Sequence, residues 1–426
     1  MTRRRFLHVL ARAGLAAPGL ALASGCAPAL ILPDSSTGLS LGYVTGDVTE
    51  NSAVVWVRAQ PGSEVALHYG LEPTLRDYVS LQPLGVNPGA DHTARFYLSG
   101  LAPATHFYYR AVVLGKQAGP VAHFLTAPGS DDDRRVVFCF SGDTRESYQP
   151  FSVMDAVRAQ KPDFFLHLGD TIYADRNGAA RSLPEFWAKY RNNRHDAATQ
   201  SLHAATSVYV IWDDHEVADN YLPGHPLAAA GQRAFLDYWP IRRELQHPQR
   251  IYRSFRWGKA LELFLLDVRQ YRDRGQGTML GTAQKNWLLH GLAASSAIFK
   301  FVATAVTIDG GGKDRWEGYP EERAEILRFI KSNKIPGVVF LSADLHYAAI
   351  SRIRHGGGIR DISAGPLGAP LNRITNGAAS RFEFFLAENF NFAKFTVDPK
   401  NAPAYAEVEF IDQDNHTFHR ARINAG

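Results

Sequence analysis

Cysteine is scarce in this chain: two in 426 residues, Cys26 and Cys139. That excludes a small scaffold stapled by disulfides. Beyond residue 26 no run approaches the roughly 18 apolar residues that a membrane-spanning helix needs. There is no internal repeat and no low-complexity tract. Charge of one sign is missing too. The formal charge of +4 comes from Arg3, Arg4, Arg5 and Arg12, and without them the 46 basic residues fall to the number of acidic ones, 42. A neutral remainder gives no compositional support for nucleic-acid binding. What is present is apolar surface: 45% hydrophobic and 12% aromatic residues, enough for a substantial core and two or three domains.

Residues 1–30 read as an address. Thr2-Arg3-Arg4-Arg5-Phe6-Leu7 resembles the twin-arginine export motif and precedes an Ala/Leu/Gly-rich stretch ending in Ala23-Ser24-Gly25-Cys26. Cys26 stands where a bacterial lipoprotein carries its lipid, with cleavage after Ala23 or Ala29 as the alternative. The expected location is periplasmic, secreted or membrane-anchored. Cys139 then remains alone inside Val136-Val137-Phe138-Cys139-Phe140, where a free cysteine acts as a small buried hydrophobe.

The chain changes character near residue 130. From 36 to 128 short alternating strands (52–58, 64–69, 95–98 and 105–113), separated by turn residues, predict a small β-sandwich of fibronectin type III kind. From 134 to 426 the rhythm is strand, helix, strand. Strands are expected at 136–140, 164–168, 207–212, 261–267, 300–307 and 337–342, with helices near 150–160, 184–193, 229–245, 282–294 and 320–332.

Four stretches that each end an apolar run carry the polar chemistry: FSGDTR (140–145), LHLGDTIYAD (166–175), VIWDDHE (210–216) and LSADLHY (341–347). Open α/β sheets place ligands just past the carboxyl ends of their strands. Asp143, Asp170, Asp214, Asp344 and His346 would meet there, and so many carboxylates need a cation. Asp170 and Tyr173 are three residues apart, so one tight loop can turn both toward an ion. Asp344 and His346, two residues apart, would share one side of an extended segment. Each motif alone also fits ordinary structure: an Asp after Gly in a turn, or Asp213 or Asp214 as a helix cap.

The order of the motifs resembles the calcineurin-like metallophosphoesterases, in particular the alkaline phosphatase D (PhoD-type) branch. Leu265-Leu266-Asp267-Val268-Arg269-Gln270-Tyr271-Arg272 and Arg315-Trp316-Glu317-Gly318-Tyr319-Pro320 are similar landmarks, and the resemblance spans essentially the whole chain. It implies an αββα sandwich behind the small β-sandwich. It also implies two metals: one held by Asp143, Asp170, Tyr173 and His346, and a second held by Asp214 and Asp344 with Asp170 bridging. His215 would lie beside the phosphate.

Tyrosinate ligation points to Fe(III), and an all-oxygen second site favours Ca²⁺ or Mn²⁺ over Zn²⁺. The first motif departs from the family pattern: Arg145 stands where many members have histidine, and Gly142-Asp143 where the PhoD-type branch often has cysteine. The wider family has Asn and His where this chain has Asp214 and Asp344.

The implied reaction is hydrolysis of a phosphate ester by a metal-bound hydroxide, with Arg145, Arg269 and Arg272 as candidates for holding phosphate oxygens. The implied protein is a monomeric exported enzyme. A phosphodiesterase or phospholipase D-like enzyme on the same site, or a noncatalytic surface-binding protein, are the alternatives.

Overall fold

The computed structural model describes residues 36–310, 312–372 and 382–425. The export motif and Cys26 lie outside them.

The N-terminal unit forms two sheets for the reason its sequence alternates. His106–Val113 points every second side chain inward, burying Phe107, Tyr109, Ala111 and Val113. With Glu64–Gly70, Ala122–Leu125 and two short strands it makes a five-stranded sheet. The facing strands, Leu39–Gly46, Ser52–Ala59 and Thr93–Ser99, behave differently. Ser52–Ala59 is apolar on both faces because both are covered. Val55 and Val57 face the sandwich core, while Trp56 turns the other way and donates its indole N–H to the carbonyl of Asp237 at 2.8 Å. Leu39–Gly46 pairs in parallel with Ser207–Ile211, so this sheet continues into the second unit.

That continuous sheet has nine strands and contains Val136–Ser141, Phe164–Leu168 and Ser207–Ile211 side by side and parallel. A second, seven-stranded sheet faces it, with Leu261–Leu265, Phe299–Ala303 and Val338–Ser342 parallel at its centre. Aromatic rings fill the space between the sheets: Phe138 lies 5.0 Å from Phe301, and Phe301 lies 4.9 Å from Phe395. Truncating such a ring typically costs about 3–5 kcal/mol. Helices cover the outer faces, giving the expected αββα layering. Cys139 is fully buried under the helical layer, and burial raises its thiol pKa, so it is the inert hydrophobe its surroundings imply.

Some bounds differ from those expected, and some elements are new. The helix expected over 229–245 is Ala228–Tyr238, because Trp239 precedes Pro240 and cannot hold helical backbone easily. The strand expected to 307 ends at Ala303. A helix at Ala197–Ala205, capped by the Asp196 side chain on the Thr199 N–H, went unanticipated, as did the antiparallel strands Asn391–Val397, Tyr405–Asp412 and Thr417–Asn424. Among the described residues no helix is long and apolar enough to cross a membrane.

Candidate metal centre

The parallel strands end at Ser141, Leu168, Ile211 and Ser342, and two to four residues later come Asp143, Asp170, Asp214, Asp344 and His346. The chain must turn sharply there. Asp143, Asp170, Asp344 and His346 all hold positive φ, 51° to 69°, an uncommon region for residues other than glycine. Such backbone persists only where its surroundings enforce it.

Those surroundings are visible. Gly169 has φ +98°, and a Cβ there would come within 2.8 Å of the Asp213 Cβ, so only glycine lets the second and third loops touch. The Glu216 carboxylate accepts from the backbone N–H groups of Asp170, Thr171 and Asp213. Asn193 Nδ2 donates to the carbonyls of Thr144 and Thr171 at 2.7 and 2.8 Å, tying the first loop to the second.

Ligand atoms converge in three overlapping groups: Asp143, Asp170 and His346; Asp170, Asp214 and His215; and Asp213, Asp214 and Asp344. Within each group they lie within 4.8 Å of one another, and Asp170 belongs to two groups, as a bridging ligand must.

The first group fits a metal closely. Both carboxylate oxygens of Asp143 are buried and accept no hydrogen bond, which is costly unless a cation occupies the space before them. His346 Nδ1 lies 2.6 Å from the Pro370 carbonyl, which fixes the proton there and leaves the Nε2 lone pair for ligation. Nε2 is 3.1 Å from the Tyr173 hydroxyl and 3.4 Å from Asp143 Oδ1. Burial, then the neighbouring carboxylates Asp214, Asp213 and Asp143, push the Asp170 pKa well up. Burial, then the carboxylates of Asp170, Asp143, Asp214 and Asp344, raise the Tyr173 phenol well above its ordinary value, so its ionisation waits for a cation.

The extended Asp344-x-His346 segment gives way to a turn. With both residues at positive φ, the side chains part: Asp344 pairs with Arg315, and His346 joins Asp143 and Tyr173. Arg269 and Arg272 also differ from expectation. Both are buried, Arg269 completely, with ion pairs from Arg269 to Asp213, Asp214 and Asp314, and from Arg272 to Asp314. They position acidic side chains and offer no surface to a substrate. Burial would raise the Asp214 pKa, but Arg269 and then His215 hold it at about 2. Arg145 remains partly exposed, 5.9 Å over the Tyr173 ring, with its Nε unpartnered.

His215 stacks on Tyr173 with ring centres 4.2 Å apart. Its Nδ1 lies 2.7 Å from Asp175 Oδ1, a partner that sequence reading passed over although Asp175 ends the second motif. Burial disfavours its charge, yet Asp175 and Asp214 raise its pKa overall. In the sequence Arg315 is only a landmark of the resemblance. Nothing in the spacing shows that it reaches Asp344, 29 residues away.

Two facing sheets with an acidic cluster at their carboxyl ends define a metallophosphoesterase fold. Residues 137–370, more than half the chain, match the family model described as PhoD-like phosphatase, and residues 25–128 match its N-terminal domain. The chain belongs to the PhoD-like phosphatase family. It is 26% identical over 387 residues to alkaline phosphatase D of Bacillus subtilis (strain 168), covering 75% of this chain and 66% of that relative's length. A solved structure of PhoD superposes with a TM-score of 0.80 at 22% identity, covering 92% of this chain and 90% of the other. A purple acid phosphatase from yellow lupin (Lupinus luteus) seeds superposes with a TM-score of 0.67 at 14% identity, covering 90% and 73%. At those identities the two structures speak for the fold alone.

Proposed function

We propose that the protein is an exported metal-dependent phosphoesterase of the alkaline phosphatase type, acting on phosphate esters through two metal ions. The observation that carries this reading is the first ligand group. Asp143 with both oxygens unpartnered, shared Asp170, Tyr173 and a tautomer-fixed His346 make a preformed cation site beside a histidine held by a carboxylate.

Asp143, Asp170, Tyr173 and His346 would hold one ion, for which Fe(III) suits the phenol. Asp170, Asp214 and Asp344 would hold the second, and their oxygen donors suit Ca²⁺ or Mn²⁺. Bound there, the metals supply Lewis acidity toward phosphate oxygens and lower the pKa of water.

The chain's own groups do the rest. Arg269 and Arg315 neutralise and aim Asp213, Asp214 and Asp344. Arg145, partly exposed and, among the described residues, without a carboxylate partner, would face a phosphate oxygen. His215 holds a proton at the nitrogen opposite Asp175 and passes it to the departing alkoxide. The twin-arginine motif supports export in the folded state, and Cys26 supports a lipid anchor.

The test is hydrolysis of an aryl phosphate monoester beside the matching diester by purified holoenzyme, before and after chelation and metal return. Activity on the monoester that is lost and restored with metal supports the reading. Faster diester cleavage would make the protein a phosphodiesterase, and none on either would remove the proposal.

A further inference from the structure

A second cluster of charge, outside the metal centre, is positive. Where the sandwich meets the helix Ala228–Tyr238, five arginines meet two carboxylates. Arg58 and Arg191 pair with Asp91, while Arg233 and Arg243 pair with Asp237. Arg95 has no carboxylate within ion-pair distance among the described residues and donates to the Leu236 carbonyl. Burial and the charge of Arg243 lower its pKa to about 10. The Nε groups of Arg95 and Arg243 are buried without an acceptor.

This excess charge borders a cleft with a water-accessible volume of about 190 Å³. One side is a single helix face, Ala229, Gln232, Arg233 and Leu236, at the i, i+3, i+4, i+7 spacing that brings side chains together. Arg243 and Gln249 stand opposite. Among the described residues no carboxylate lines it. Asp237, behind the arginines, is already used by Arg233, Arg243 and the Trp187 indole N–H. The charged groups facing the space are thus guanidinium donors, while the Gln232 amide N–H groups are turned to the Gln249 carbonyl and the Gln270 amide oxygen. The volume is several times the roughly 30 Å³ that one water occupies in the liquid, so it admits a tetrahedral ion with accompanying water.

We propose that this cleft binds a free tetrahedral oxyanion, phosphate or its isostere sulfate, at a site separate from the metal centre. Two guanidinium groups with nitrogen to spare match such an ion's oxygens through charge-assisted hydrogen bonds. An anion there also relieves the mutual repulsion of Arg95, Arg233 and Arg243. A cationic ligand would meet only the like charge of Arg233 and Arg243 there.

The test uses the full chain with its metals. Crystals soaked in selenate should show an anomalous peak between Arg233 and Arg243, and calorimetric titration with sulfate should show a matching affinity. Arg243→Gln should weaken that affinity about tenfold or more, the usual loss for a charge-assisted hydrogen bond. Because Arg243 also pairs with Asp237, a second variant leaves every arginine in place. Ala229→Glu puts a carboxylate at the exposed start of the helix, where acids are tolerated well. It should abolish the cleft peak and leave phosphatase turnover unchanged. A selenate peak only at the metal centre, sulfate affinity unmoved by Ala229→Glu, or a cleft peak with no affinity in solution would each overturn the proposal. If a phosphate group bound only when carried on a larger molecule such as glycerol phosphate, the free-ion assignment would fall.

Discussion

Asp175 Oδ1 lies 2.7 Å from His215 Nδ1, and the two residues are 40 positions apart in the chain. The hydrogen bond fixes which imidazole nitrogen is committed to the protein. Among the described residues Nε2 makes no hydrogen bond, so it is the nitrogen available for proton transfer. Loss of a group that transfers or positions a proton typically costs about 10²–10⁴ in rate. His215→Ala should therefore keep both metals while turnover falls by that amount, least on aryl phosphates whose leaving groups need little protonation. Asp175→Asn, which keeps the contact but removes the charge, should fall less. Missing metal in His215→Ala would make His215 a ligand.

Asp170 contributes to two of the three ligand groups. Asp170→Asn should lose metal and activity together, because one lost oxygen ligand weakens both ions. The strands of the sheets do not depend on that carboxylate, so the variant should keep the β-sheet circular dichroism of the parent protein. Elemental analysis decides this: full metal content with near-normal turnover would remove Asp170 from the site.

Tyr173 should give the protein colour if its metal is ferric. Tyrosinate bound to Fe(III) absorbs visible light by charge transfer, and Tyr173→Phe should bleach it while the stacked His215 remains. A colourless protein with stoichiometric iron would count against this ligand. A colourless, iron-free and active one would assign the site to another metal.

Asp361 is fully buried and accepts from the Ser342 hydroxyl at 2.7 Å and the Ile308 N–H at 2.9 Å. Burial pushes its carboxyl up to about 7 from the ordinary 3.8. A carboxyl that binds its proton more tightly when folded contributes stability present in full below the unfolded value and lost as pH rises through the folded one. Between about pH 4 and 7 this group should remove on the order of 2–4 kcal/mol. Asp361→Asn should flatten that part of the melting temperature against pH. An unchanged slope in the variant would place the effect elsewhere.

The sequence by itself determined the layers and which acidic residues stand at the sheet edge. Apolar runs at 136–140, 164–168, 207–212 and 337–342 have the length and composition of strands buried on both faces, and a carboxylate soon after each then stands at a sheet edge. Periodicity and turn chemistry are local, so they survive in a linear reading.

What only the tertiary structure decided is pairing across long separations. Arg269 reads as a substrate contact in sequence, yet a guanidinium with no exposed surface among three carboxylates can only hold them. Asp175, Arg315 and Glu216 acquire their roles from partners 29 to 46 residues away. The conformation of Asp344 and His346 also escaped, because alternation predicts an extended segment and the loop instead adopts positive φ. Which groups meet, and which are left buried without a partner, depends on how the two sheets pack. No spacing within one strand or loop encodes that.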